Sequence, residues 1–195
     1  MTHDTEIKSL INYINTVYFK TANKIRTNIY RGHLRSISSD IEDAIALYIA
    51  NVLPTDYKIF LDSSVHVNKK NNRPDLLVVD ASNNVKAMIE VKSNMGWCRN
   101  ATDVIDDICD NDSKFKHTGS LTCEFSRENS ETVLYGNDVK LFLVSLTDWN
   151  CPADKHAANK TYAKTKGVHQ FNLFSGWYDS LTENEISDFT NILLK

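Results

Sequence analysis

A chain of 195 residues with 42% hydrophobic and 24% charged side chains can bury a core without staples, which argues against a disordered protein. Its formal net charge of −3 argues against a molecule that attracts polyanions over its whole surface. The four cysteines, Cys98, Cys109, Cys123 and Cys151, form no C-x-x-C pair, and Cys109, His117 and Cys123 match no common zinc spacing, so unpaired buried thiols in a reducing compartment are expected. No apolar run reaches membrane-spanning length, and the first residues lack a basic-then-apolar signal, so a cytoplasmic protein without membrane contact is expected.

Positions 5–19 carry Ile7, Leu10, Ile11, Ile14 and Tyr18 at helical spacing and predict an amphipathic helix. A second helix is predicted from about Asp40 to Leu53, stopped by Pro54. Three strands follow, at about 57–67 (YKIFLDSSVHV), 75–80 (DLLVVD) and 85–93 (VKAMIEVKS), joined by the polar turns NKKNN and ASNN. Two successive hairpins make a meander. A helix is expected at about 101–116, then a polar loop or short hairpin over 117–137. The continuous apolar run at 139–146 (VKLFLVSL) reads as a buried strand. Within 150–180 only FNLFSGWY suggests a strand or packed loop. A last helix starts at Thr182, with Glu185 completing a capping box, and runs to about Leu194. This order predicts a single α/β domain around a mixed sheet.

Alternation along 85–92 puts Ala87, Ile89 and Val91 on one face, and Lys86, Met88, Glu90 and Lys92 on the other. Glu90 and Lys92 therefore point the same way, about 7 Å apart along the strand. Asp75 opens the preceding strand, and the ASNN hairpin returns it beside Glu90 and Lys92. Two carboxylates held together repel, and burial strengthens the repulsion. A divalent cation removes it, and hard oxygen donors favour Mg²⁺ or Mn²⁺, with the Val91 carbonyl a further candidate ligand. A nearby ammonium can orient a water or steady charge developing on a phosphate. On a wheel of about 100° per residue, Glu42 falls inside the apolar arc of its helix, between Ile49 and Leu53. Two blander readings stand beside these: Ser39-x-x-Glu42 as a capping box, and Glu90–Lys92 as a half-exposed salt bridge with Asp75 as a turn acid.

Pro74-Asp75 followed by Glu90-Val91-Lys92 resembles the signature of the PD-(D/E)XK nuclease superfamily. The resemblance implies a restriction-endonuclease-like core over about 40–146: a central mixed sheet with a three-strand meander flanked by helices. The helix at 1–38 and the region 150–195 would be elaborations. It implies a metal site of Asp75 and Glu90, with Lys92 assisting the water and Glu42 as an accessory acid. The expected activity is Mg²⁺- or Mn²⁺-dependent hydrolysis of DNA phosphodiesters by an endonuclease of restriction or defence type. Repair or junction resolution is equally permitted, and the rival reading is a nuclease-like domain that binds without cutting. Cleavage of both strands would favour a homodimer.

A nuclease also needs cations for the DNA backbone. Lys69, Lys70, Arg73 and Arg99 lie near the proposed site in sequence, and the acid-free run 155–169 adds Lys160, Lys164 and Lys166. A second acid-free run fills 20–35. Trp97 is read as packing, with base stacking as the alternative. His66, His117, His156 and His169 show no paired spacing and are read as structural or solvent-exposed.

Overall fold

The computed structural model describes residues 4–22, 38–67, 70–95, 100–124, 129–175 and 180–195. Helix α1 (Asp4–Ala22) turns Leu10 and Ile14 inward against α2 (Ser38–Val52). A six-stranded mixed sheet follows, in the order β1 (Lys58–Leu61), β4 (Leu76–Val79), β5 (Val85–Lys92), β8 (Lys140–Thr147), β9 (Val168–Ser175) and β10 (Ser180–Leu181). The pairs β1–β4 and β4–β5 are antiparallel, whereas β5–β8 and β8–β9 are parallel. Every residue of β4 is buried, as a strand covered on both faces requires.

One face of the sheet packs on α1, α2 and α5 (Glu183–Leu193), where Ile45, Ile49, Phe142 and Phe189 form the centre of the core. The other face packs on α3 (Ala101–Thr118) and α4 (Ala153–Thr165) through Met88, Ile105, Phe115 and Ala163. Helix α3 stops at Gly119, whose φ of 73° lets its N–H reach the Phe115 carbonyl. A second, four-stranded antiparallel sheet runs β3 (Lys70–Asn72), β2 (Ser64–Val67), β6 (Ser120–Glu124) and β7 (Ser130–Leu134).

The predicted strand 57–67 is in fact two strands in two sheets. Burial passes from Phe60 to Ser63, Val65 and Val67, so the alternation changes phase at Asp62, which adopts φ 45°. The meander is consequently β1, β4 and β5, with the β2–β3 hairpin inserted between its first two members. The region 117–137 contributes the β6–β7 hairpin. Helix α4, which has almost no amphipathic signature, is an addition to the predicted order. Both capping boxes fail. Ser39 lies inside α2, and Thr182 caps α5 without a side-chain hydrogen bond to the helix. Glu185 turns instead to α4 and the sheet, where its oxygens accept from Lys160 Nζ of α4 and, at 2.5 Å, from the Asn172 N–H.

Candidate active site

The β4–β5 hairpin brings the signature residues together. Leu76 pairs with Ile89, which sets Asp75 beside the end of β5. Its Oδ2 accepts a hydrogen bond of 2.6 Å from the Val91 N–H. Lys92 Nζ lies 2.5 Å from Glu90 Oε1, 3.2 Å from the Val91 carbonyl oxygen and 4.0 Å from Asp75 Oδ2. A single ammonium thus reaches all three oxygen donors expected to hold a cation. All three side chains are partly buried: Asp75 is 20% exposed, Glu90 27% and Lys92 29%.

Burial, with the Glu90 charge second, pushes the Asp75 carboxyl up from 3.8 to about 7. The Val91 hydrogen bond and Lys92 oppose that rise, and Glu42 adds to it. Glu42, on the first turns of α2, is also raised, first by burial and next by the charge of Asp62, with Lys92 opposing. Glu42, Asp62, Asp75, Glu90 and Lys92 therefore form one electrostatic group at the end of the hairpin.

Asp62 escaped the sequence reading, where it sat inside an assumed strand. Its N–H donates to the Asp75 carbonyl at 2.8 Å, and its Oδ1 lies 3.7 Å from Arg73 Nε. The legible signal was a polar Asp-Ser-Ser step at the phase change of the alternation.

Among the described residues, no three His, Cys, Asp or Glu side chains converge closely enough to cage a metal by themselves. The chemistry of the donor set nevertheless suits a hard cation: two carboxylates and a carbonyl, with the Asp75 carboxyl raised first by burial and then by the Glu90 charge, both of which a nearby positive charge would offset. In this arrangement the ammonium of Lys92 supplies that charge.

No protein-family model matches the chain, and no curated protein matches it significantly. Among solved structures it is similar to NucC of P. aeruginosa ATCC27853 in its cAAA-bound form, with a TM-score of 0.51 and 10% sequence identity. The likeness covers 89% of this chain and 75% of that one, and at such identity it concerns the fold alone. The fold is restriction-endonuclease-like.

The predicted backbone-binding residues scatter around this frame. Arg73 is exposed and borders a cavity of about 280 Å³ whose wall includes Glu90 and Lys92. Lys70 falls in β3 of the second sheet. Lys160 is held by Glu185, and Lys166 sits 2.7 Å from Asp106, so acids from α5 and α3 meet a run that looked acid-free in sequence. Lys164 is exposed on α4. Lys69, Arg99, Trp97 and positions 23–35 of the acid-free run at 20–35 lie outside the described residues. No helix among the described residues is long and apolar enough to cross a membrane.

Proposed function

We propose that this chain is a metal-dependent nuclease that hydrolyses DNA phosphodiester bonds, acting as an endonuclease of restriction or defence type. The observation that carries the reading is the meeting of Asp75, Glu90, the Val91 carbonyl and Lys92 at one hairpin end. Asp75, Glu90 and Val91 are the residues that would hold Mg²⁺ or Mn²⁺, with Glu42 as an outer acid. When bound, the ion supplies Lewis-acid neutralisation of the phosphate and lowers the pKa of a bound water.

The chain's own groups do the rest. Asp75 is fixed by the Val91 N–H, so its second oxygen keeps a constant aim. Lys92, on leaving Glu90, has three donors with which to orient the attacking water and to steady negative charge on the phosphoryl oxygens. Arg73, at the cavity mouth, can grip a neighbouring phosphate. Repair or junction cleavage would use the same groups, and cutting both strands of a duplex would call for a second copy of the chain.

The Glu90–Lys92 pair at 2.5 Å favours a second reading, in which the domain binds nucleic acid or a protein without cutting and the pair is a salt bridge. Supercoiled plasmid with Mg²⁺ or Mn²⁺ separates the two. The nuclease nicks or linearises it, and Lys92→Ala and Asp75→Ala both abolish the cutting. A wild-type protein that leaves the plasmid intact favours the binding domain, and cutting that persists in both variants removes the mechanism.

A further inference from the structure

The cavity beside Glu90 and Lys92 has a second wall that the chemistry above does not use. Val104, Asp107, Ile108 and Asn111 stand at i, i+3, i+4 and i+7 on α3, so they share one face of that helix. Packing of Ile105, Ile108 and Phe115 into the core turns this face towards β5. On the strand side, Met88, Glu90 and Lys92 follow one another at the two-residue period. Met88 and Ile108 are buried, whereas Asp107 and Arg73 are exposed. The volume of about 280 Å³ is at the small end for a ligand pocket. It suits one flat heterocycle and is too small for a base pair.

Apolar side chains on facing walls with hydrogen-bonding groups at one edge are what an unstacked base needs. Among the described residues no cation pairs with the Asp107 side chain, and Asn111 Oδ1 receives only a long contact of 3.5 Å from Lys114. From this arrangement we infer that the cavity is a nucleobase subsite, receiving the unpaired base next to the scissile phosphate, with guanine the best match. The inference rests on the nuclease reading of Glu90 and Lys92. The Asp107 carboxylate oxygens accept hydrogen bonds, and guanine offers two neighbouring donors, the ring N–H and the exocyclic amine. The Asn111 amide or the Arg73 guanidinium then donates to the guanine carbonyl. Cytosine and thymine present one donor group on the same edge, and adenine presents an amine beside an acceptor that the carboxylate repels. Placing a base here also requires that it leave its stack, which a single strand does more cheaply than a duplex.

The test has a binding arm and a cleavage arm, both on the full chain. In EDTA, fluorescence anisotropy compares short single-stranded deoxyoligonucleotides that differ at one central position: guanine, adenine, cytosine, thymine or an abasic sugar. Guanine is expected to bind about tenfold more tightly than the abasic strand, the usual scale for one well-read base. Asp107→Ala, and Val104→Phe, which fills the cavity, each bring that ratio close to one. In Mn²⁺, mapped cuts in single strands are expected to cluster beside guanine. Equal affinity for all five strands, or full discrimination retained by Asp107→Ala, overturns the subsite even if the enzyme cuts. Discrimination without any cutting removes the nuclease reading and leaves the cavity as a base-binding site.

Discussion

The Asp75 carboxylate is tied to the Val91 N–H at 2.6 Å, while the Lys92 ammonium stands 4.0 Å from it. The acid is therefore fixed by the main chain of the neighbouring strand, so replacing the lysine leaves that hydrogen bond in place. Lys92 meanwhile contacts the oxygens that a metal would use. Lys92→Met should thus bind Mn²⁺ more tightly than wild type, because a competing cation has gone, while losing cutting by at least about a hundredfold. Calorimetric titration and plasmid cleavage read the two effects. Weaker Mn²⁺ binding in this variant would mean that the ammonium and the ion do not share donors.

The raised Asp75 carboxyl makes a statement about stability. Its folded value, about 7, lies above the unfolded 3.8, so the folded state holds the proton more firmly. The stabilisation is complete below about pH 4 and is lost as pH rises through about 7. Asp75→Asn stays neutral throughout and cancels the other titrating groups when subtracted. Wild type minus Asp75→Asn should therefore fall between pH 4 and pH 8, by at most about 4 kcal/mol. Mn²⁺ should restore much of the loss at the alkaline end. Urea unfolding at stepped pH measures it, and a flat difference would show that the acid is not held above its ordinary range.

Glu185 provides a prediction about the frame. Its two oxygens take different partners, Lys160 Nζ and the Asn172 N–H. Glu185→Ala strands both and should cost about 1.5–3 kcal/mol, the range for hydrogen bonds to a charged group. Glu185→Gln keeps an acceptor for the Asn172 N–H and should cost less than half as much. Equal losses in denaturant midpoint for the two variants would contradict this assignment.

The same residue shows where sequence reading stopped. Thr182 and Glu185 have capping-box spacing, but spacing is local, and the competing donors come from α4 and β9, far away in the chain. The Lys160 and Lys166 run misled for the same reason, since its neutralising acids, Glu185 and Asp106, belong to other elements. By contrast Asp75, Glu90 and Lys92 were legible because a hairpin is local: a four-residue turn and a two-residue period suffice to bring them together. The α2, α3 and β8 segments were legible from strong apolar periodicity or continuity. Helix α4 was not, because only Asn159 and Ala163 in it are buried, leaving no stripe to recognise. The cavity wall of Asp107 and Asn111 was hidden too, since nothing in α3 alone says which strand it will face.

Asp62 carries the last prediction. At φ 45° it takes a conformation that Asp tolerates and β-branched residues resist. That one residue shifts the alternation, releases the chain from β1 into the second sheet, and leaves its N–H bonded to the carbonyl of Asp75. Asp62→Val should cost about 1–2 kcal/mol through backbone strain. Asp62→Gly should fold with a smaller loss, because glycine accepts the dihedral without strain and costs only the extra freedom it has in the unfolded chain. Both variants remove the charge that helps raise Glu42, so its carboxyl should titrate lower in each. Carboxyl chemical shifts followed against pH report that change, and urea midpoints report the strain. If valine proves as stable as glycine here, the left-handed turn at Asp62 is not what separates the two sheets.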